Sequence, residues 1–274
     1  MSNQIDKAFI KHFQQEVHQA YQRQGSKLRE TVRSKSNIKG ATTTFQKVGK
    51  GTATTKSRNG QVPTMQMDHT PVTCELVDYY AGDWVDKLDE LKVNIDERMV
   101  IAKAGAYALG RKTDELIINA LKDATISAGD GSDGLTRAKV LKAFEILGDN
   151  DIPDDGERYA VVGWKQWSDL LLLDEFANAD YVGAEELPWR GTQAKRWLGT
   201  LWIPHSDLPL DKSTGVRSCF WYHKTAVAHA SGADVTSDIT WHGDRAAHFV
   251  NNMMSQGACL IDEKGVVELP ALES

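Results

Sequence analysis

The sequence predicts an α+β protein with a basic N-terminal arm. A long apolar stripe at helical spacing covers residues 94–122, and strand patterns mix with short helical ones from residue 151 onward. The first sixty residues also carry a charge opposite to that of the rest. With 274 residues and 41% hydrophobic content, the chain can bury one large core or two modest ones.

The division of charge predicts self-association. Residues 1–60 hold 12 Lys and Arg residues against three acidic residues, whereas the whole chain has 32 basic and 38 acidic residues. The arm is therefore basic and the remaining body is acidic. Such a chain can bind copies of itself, arm on body, and its arm can also contact a polyanion such as nucleic acid.

Membrane and secreted classes do not fit the sequence. No stretch reaches the roughly 20 apolar residues of a membrane span, and the N-terminus lacks the basic-then-apolar order of a signal peptide. Cys74, Cys219 and Cys259 are widely spaced in apolar contexts, which favours buried thiols over a disulfide framework. We therefore expect a soluble cytoplasmic protein with no membrane partner.

The arm begins with a predicted amphipathic helix. Apolar residues recur at every fourth position, at Ile5, Phe9, Phe13, Val17 and Tyr21, and Gly25 then ends the pattern. This stripe is narrow, so the helix needs a partner.

Residues 40–70 predict an extended loop. The segment is rich in Thr and Gly and carries four cations, Lys47, Lys50, Lys56 and Arg58. The Asn59-Gly60 pair predicts a tight turn with positive φ at both positions, joining strands at residues 52–57 and 62–67. Such a hairpin is marginal in water, so it needs another surface; the alternative is a flexible loop.

The body begins near Pro71 with a predicted strand, and three helices follow. The first covers residues 81–93, with Trp84, Val85, Leu88 and Leu91 on one side. The second, over residues 94–122, is about 40 Å long and is capped by Asn94 and Glu97. Gly105 and Gly110 weaken its interior, so a kink near residues 110–113 is an option. The third covers residues 136–147 and follows a Gly-rich loop.

The second half predicts mixed structure. Strands are expected at residues 159–162, 198–203 and 218–230, a helix at residues 166–173, and terminal strands at residues 258–261 and 266–269. Residues 245–254 fit either a helix or a strand. Seven of the eight tryptophans fall between Trp164 and Trp241, which favours core packing over a contact surface.

Catalytic and metal-binding patterns are incomplete. His205-Ser206-Asp207 has triad residue types, but adjacent residues point in different directions and nothing marks a nucleophile elbow. Residues 151–162 depart from a calcium loop at two ligand positions. His223, His229, His242 and His248 lack zinc-protease spacing, and Gly49-Lys50-Gly51-Thr52 lacks the full phosphate-loop pattern. We expect no catalytic residue, metal or cofactor.

A series of short motifs follows the order found in one known family. They are Gly25-Ser26-Lys27-Leu28, Thr31-Val32-Arg33, Asp78-Tyr79, Asp83-Trp84-Val85-Asp86, Ala108-Leu109-Gly110-Arg111, Asp114-Glu115-Leu116-Ile117-Ile118, Gly134-Leu135-Thr136, Asp180-Tyr181, Leu198-Gly199, Leu208-Pro209, Gly257-Ala258 and Val266-Val267-Glu268. No single motif is specific, but the ordered series is. On these residues the chain resembles the major capsid proteins of tailed phages, which have the Hong Kong 97-like fold.

The resemblance implies a division of the chain. It implies an N-terminal arm at 1–39, an extended loop at 40–70, a peripheral domain at 71–150 and 231–274 with a long spine helix, and an axial domain at 151–230. It also implies that residues 245–254 are a strand, which joins the terminal β segment in the peripheral sheet.

The function implied is a major capsid protein that self-assembles, as hexamers and pentamers, into an icosahedral shell enclosing double-stranded DNA. The loop would reach over the neighbouring subunit, where Lys47, Lys50, Lys56 and Arg58 would meet Asp83, Asp86, Asp89 and Glu90. Further partners would be a scaffolding protein and a portal, with assembly in the host cytoplasm and the virion capsid as final location.

The arm would have two contacts of its own. Phe9 and Phe13 would hold the scaffolding protein. The basic residues Lys27, Arg29, Arg33, Lys35 and Lys39 would lie near packaged DNA without reading its sequence.

Three other readings remain open. An encapsulin-like compartment would enclose protein cargo, although the long basic arm favours the phage reading. A monomeric nucleic-acid-binding protein would use the arm alone, although the arm has few aromatic residues for base stacking. A hydrolase or metal enzyme would need ligands that are far apart in sequence.

Overall fold

A computed structural model describes residues 25–65, 67–90, 97–177 and 194–273. The described strands are β1 (Arg33–Lys35), β2 (Thr42–Val48), β3 (His69–Glu75), β4 (Val77–Asp86), β5 (Arg158–Val162), β6 (Lys195–Trp197), β7 (Thr200–Pro204), β8 (Leu210–Asp211), β9 (Val216–His223), β10 (Val227–His242), β11 (Ala247–Leu260) and β12 (Val266–Leu272). The described helices are α1 (Lys87–Glu90), α2 (Glu97–Lys122), α3 (Arg137–Asp149), α4 (Trp164–Leu171) and α5 (Asp174–Ala177). The expected α+β class is confirmed.

A four-stranded sheet supports the long helix. Its order is β1-β10-β11-β4, with β1 parallel to β10 and the other pairs antiparallel. Helix α2 packs on this sheet, where Thr113 Oγ1 donates to Gln256 Oε1 at 2.7 Å. The helix runs without interruption through Gly105 and Gly110. The expected long helix is therefore confirmed, while its proposed cap at Asn94 lies outside the described residues.

The helix expected at residues 81–93 is wrong for most of its length. Residues 77–86 form β4, which pairs with β11 from Val77 opposite Gln256 to Asp86 opposite Ala247. Val85 is buried, whereas its neighbour Trp84 is 37% exposed, as the alternation of a strand requires. Pairing with β11 overrides the helical spacing that the sequence shows here.

A six-stranded sheet forms the main core. Its order is β12-β9-β5-β7-β6, and β8 pairs with β9. Trp197, Trp202 and Trp221 stack through it, with ring centroids 5.7 and 5.1 Å apart. The expected core use of the tryptophans holds for these residues, but Trp164 and Trp241 are about half exposed, and Trp189 lies outside the described residues.

The strand expected at residues 218–230 is two strands. A 3-10 turn at Lys224–Ala226 separates β9 from β10, so the chain passes from the six-stranded sheet to the four-stranded one. Residues 247–260 form β11, which confirms the strand reading of residues 245–254.

The terminal strand lies in a different sheet from the one expected. Strand β12 pairs with β9 in the six-stranded sheet, not with β11. Val266, Val267, Leu269 and Ala271 are all buried, and the backbone of Glu268 bonds to Ile126 and Ala128. Both faces and the outer edge of β12 are thus covered, which explains why so apolar a segment crosses to the larger core.

The extended loop has its ladder at the base and not at the tip. Strands β2 and β3 pair from Thr42 opposite Glu75 to Val48 opposite His69, whereas the described residues of 52–57 and 62–67 are not strands. The expected turn is present, since Gly60 N–H donates to Ser57 O at 3.0 Å and Asn59 has φ of +68°. Gly60 does not take positive φ, so the turn differs from the type expected. Phe45 and Cys74 are buried at the base, whereas the apolar side chains Val62, Met65 and Met67 nearer the tip are exposed.

Among the described residues, no helix combines the length and the apolar character needed to cross a membrane.

Candidate assembly surfaces

The extended loop presents an exposed surface beyond its paired base. Residues 50–59 are exposed, as are the described residues of 61–68, including the large apolar side chains Val62, Met65 and Met67. Apolar side chains held in water far from the core are typical of contact sites.

Two loop cations pair within their own chain. Lys47 Nζ lies 2.9 Å from Asp262 Oδ1, and Lys50 Nζ donates to Asp151 Oδ2. The hydrogen bond from Lys50 lowers the pKa of the Asp151 carboxyl. These acids were missed by sequence reasoning because they are 101 and 215 residues away from their partners in the chain. Lys56 and Arg58 are exposed at the turn.

The acids expected to receive the loop lie at one end of β4. Asp83 and Asp86 are exposed, and their carboxylates accept hydrogen bonds from the backbone N–H groups of Trp84 and Leu88, each at 2.8 Å. Both carboxylates therefore retain unused oxygen atoms. The side chains of Asp89 and Glu90 lie outside the described residues.

Aromatic rings cover the same end of the sheet. The Arg245 guanidinium lies 4.4 Å from the Trp84 ring centroid, and Lys87 Nζ lies 5.3 Å from that of Trp241. The Trp84 ring also packs on Phe249, with centroids 4.6 Å apart. Exposed tryptophans beside cations are common at protein contacts, so this end of β4 is a second candidate surface.

A buried carboxylate fixes the root of the arm. Asp114, in the middle of α2, accepts hydrogen bonds from Ser26 Oγ and from the backbone N–H groups of Lys27 and Leu28, the latter two at 3.1 Å. Its fourth partner is His205 Nε2 at 3.1 Å, from the residues after β7. We call Ser26, Lys27, Leu28, Asp114 and His205 the arm clasp. It joins the arm, the long helix and the six-stranded sheet.

The hydrogen bonds of the clasp define its charge state. The Asp207 backbone N–H donates to His205 Nδ1 at 3.2 Å, so the ring donates to Asp114 through Nε2. Burial alone would raise the pKa of the Asp114 carboxyl, but the hydrogen bonds from His205, Ser26 and the two backbone amides outweigh it and lower that pKa. Asp114 is therefore held as a carboxylate.

The same geometry rules out a triad at residues 205–207. Ser206 Oγ donates to Asp207 Oδ1 at 3.0 Å and not to His205, whose Nε2 is bound to Asp114. The described contacts of these residues are therefore not those of a triad, and the absence of catalysis stays a prediction.

The basic residues of the arm differ in whether they contact other groups of their own chain. Arg29 Nη2 bonds to Asp234 at 2.5 Å, and Arg33 and Lys35 lie 5.8 and 5.9 Å from the Phe45 ring centroid. The side chains of Lys27 and Lys39 are exposed. Phe9 and Phe13 lie outside the described residues.

One group of possible metal ligands occurs on the described surface. Ligand atoms of Asp155, Glu157 and His223 lie within 4.8 Å of one another. However, His223 Nε2 bonds to Asp155 at 3.2 Å, and Glu157 pairs with Lys224 at 3.0 Å. These partners account for the cluster without a metal.

Solved structures identify the class of the fold. The chain is similar to the structure of Mycobacterium phage Che8, with 18% identity, a TM-score of 0.74, and coverage of 94% of this chain and 95% of that one. It is similar to the capsid of cyanophage P-SCSP1u, with 15% identity, a TM-score of 0.73, and coverage of 100% and 96%. For the capsid of the native GTA particle the identity is 12%, the TM-score 0.70, and the coverage 97% and 96%. The fold is thus the capsid fold of the Hong Kong 97-like type.

The family follows from the sequence. The model of the phage capsid protein family matches residues 5–273, so the chain belongs to that family. No curated protein sequence matches it. The resemblance expected from the short motifs is confirmed, and the chain has the structural role of a phage major capsid protein in the virion capsid.

Proposed function

We propose that the chain assembles, as hexamers and pentamers, into an icosahedral shell that encloses double-stranded DNA. The observation that carries this proposal is the extended loop, whose base is anchored on the body while its basic and apolar tip is exposed. A segment of this kind gains a partner only from another subunit. Contacts between different patches of identical subunits generate closed rings, as such a shell requires.

The loop meets the acidic end of β4 on a neighbouring subunit. Lys56 and Arg58 are the loop cations best placed for this contact, since Lys47 and Lys50 pair with acids of their own chain. Asp83 and Asp86 are exposed acceptors, and Asp89 and Glu90 follow them in sequence. Asn59 and Gly60 shape the turn that presents the cations.

The two sheets correspond to two domains of the shell subunit. The four-stranded sheet with α2 forms the peripheral domain, and the six-stranded sheet forms the axial domain with residues 151–230 as its centre. Helix α3 and strand β12 pack on the axial core, so they belong to it although they lie outside that range in sequence.

The remaining partners belong to the arm and to assembly. Phe9 and Phe13 contact a scaffolding protein. The exposed Lys27 and Lys39 lie nearest to packaged DNA, because Arg29, Arg33 and Lys35 already contact Asp234 or the Phe45 ring of their own chain. A portal occupies one vertex, and assembly takes place in the host cytoplasm. The role is structural and not enzymatic.

Charge reversal in the loop tests the assembly contact. The K56E/R58E variant should remain a folded subunit but should form no shells, because the two introduced glutamates would then face the acids of the neighbouring subunit. A matched control, K142E/K212E, reverses two exposed cations on the body and should assemble. Size-exclusion chromatography and negative-stain electron microscopy measure the outcome.

A second pair of charge changes makes the test specific. The D83K/D86K change should restore shells to K56E/R58E, because it re-creates opposite charges across the contact. Normal shells from K56E/R58E alone would contradict the loop contact. Wild-type particles that hold protein cargo and no nuclease-resistant DNA would favour an encapsulin-like compartment.

A further inference from the structure

Two of the three thiols meet where the extended loop leaves the body. Cys74 lies near the end of β3, and Cys259 lies near the end of β11. Both belong to a small apolar cluster that includes Phe45. Cys74 is buried and Cys259 is half-buried, so a small solute reaches this cluster from the side of Cys259.

The sulfur of Cys74 faces β11. A Cβ atom built on Gly257 would lie 3.4 Å from Cys74 Sγ. Gly257 and Cys259 are two residues apart in one strand, so their side positions share a face. Each thiol shifts the pKa of the other, so the two side chains lie close together. The base of the loop and the four-stranded sheet are thus joined at a pair of sulfur atoms.

The three thiols differ in acidity. The interaction with Cys259 lowers the pKa of the Cys74 thiol, and the same interaction together with burial raises the pKa of the Cys259 thiol. Cys219 is fully buried, and burial raises its pKa to about 12. Because the thiolate is the form that oxidants attack, the lowered pKa makes Cys74 the better nucleophile of the pair. Cys219 lies in the other apolar cluster, apart from these two thiols.

We propose that Cys74 and Cys259 form a disulfide when the subunit meets hydrogen peroxide, which ties the base of the loop to β11. The Cys74 thiolate attacks one peroxide oxygen, the O–O bond breaks, hydroxide leaves, and Cys74 becomes a sulfenic acid. The Cys259 thiol then attacks the sulfenic sulfur, the S–S bond forms, and water leaves. In total the two thiols lose two electrons and two protons, and one peroxide becomes two waters.

The proposal goes beyond the assembly function, since it needs only the folded chain. The disulfide would close a long stretch of chain between β3 and β11, so it would restrict the unfolded state. We expect the melting temperature to rise by about 5 °C on oxidation. A reductant should reverse the rise.

Thiol counting with mass spectrometry tests the disulfide. The purified full-length chain is treated with hydrogen peroxide, denatured and titrated for free thiols, and the count should fall from three to one. Tryptic digestion without reductant should link the peptide 59–87 to the peptide 246–264. Three remaining thiols, a link that includes Cys219, or links only between chains would overturn the proposal.

Two single variants separate the roles of the thiols. In Cys259→Ser, the Cys74 sulfenic acid should persist and react with dimedone, and the rise in melting temperature should disappear. Cys219→Ser is the matched control and should lose both remaining thiols to the same link. Absence of the dimedone adduct on Cys74, or loss of the link in the control, would show that the assigned roles are wrong.

Discussion

The arm clasp and the extended loop both involve the basic N-terminal region, yet their polar groups are satisfied in opposite ways. In the clasp, the buried Asp114 accepts hydrogen bonds from Ser26, Lys27, Leu28 and His205 of its own chain. In the loop, Lys56, Arg58 and the apolar side chains of the tip are exposed, and the strand ladder of the described residues is confined to the base. The difference teaches that the clasp is complete in the subunit, whereas the loop is complete only in the assembly.

Removing the clasp carboxylate should have the largest effect. Asp114→Ala would leave the buried amides of Leu28 and the ring of His205 without their acceptor, and we expect a loss of about 3 kcal/mol in the free energy of unfolding. Urea unfolding of the assembly-deficient K56E/R58E subunit measures it. Asp130→Ala is the control, since Asp130 is exposed and bonds only within its own turn. If Asp114→Ala and Asp130→Ala had the same free energy of unfolding, the clasp would hold the subunit no more firmly than an exposed turn does.

A methyl group at the clasp should have the next largest effect. In Gly110→Ala, the new Cβ would lie 2.7 Å from Gly25 Cα, so either the arm root or the helix must move, at a cost of about 2 kcal/mol. Gly148→Ala is the matched control, because nothing lies within 4 Å of its Cβ and helix propensity should stabilise it by about 0.5 kcal/mol. Thermal unfolding compares them. A stabilised Gly110→Ala would show that the arm root does not hold this position.

Acid should weaken the clasp in a defined pH range. Folding lowers the pKa of Asp114, so its contribution is fully present above the unfolded-state value of about 4 and is lost as the pH falls through the lower folded-state value. The stability difference between wild type and Asp114→Asn should therefore be constant from pH 5 to 8 and shrink below about pH 4. Unfolding in urea at a series of pH values gives this difference. If the stability difference between wild type and Asp114→Asn vanished near pH 6, a group other than the Asp114 carboxyl would cause the pH dependence.

An ion pair of the loop base should have the smallest effect. Lys47 and Asp262 are each about one-third exposed, so their interaction should contribute roughly 0.5 kcal/mol or less. A double-mutant cycle with Lys47→Ala and Asp262→Ala measures the coupling free energy. A coupling above about 2 kcal/mol would mean that the loop base is held as firmly as the clasp.

The sequence predicted elements whose pattern is local. The long helix, the helix after Thr136 and the strand near Val161 have clear periodicity, and the structure has them within a few residues. The segment around Trp84 was misread because its helical spacing is overridden by pairing with β11, a partner more than 160 residues away. The sheet assignment of β12 failed for the same reason, since it depends on which distant strand offers a free edge.

The candidate surfaces were predicted unevenly. The basic loop and its turn follow from composition and from the Asn59-Gly60 pair, so they were found. Asp114 was noted only as part of a motif, because its partners lie 86 to 91 residues away in the chain. A signal was present nonetheless: Gly110 and Asp114 are one turn apart, which places a gap and a carboxylate on one helix face.

Hydrogen exchange of the free subunit and of assembled shells tests the central claim most directly. Backbone amides of residues 50–59 should exchange rapidly in the subunit and become protected in shells, whereas those of Leu28 and the middle of α2 should be protected in both states. Loop amides that are already protected in the free subunit, or that remain unprotected in shells, would contradict the claim that assembly completes the loop.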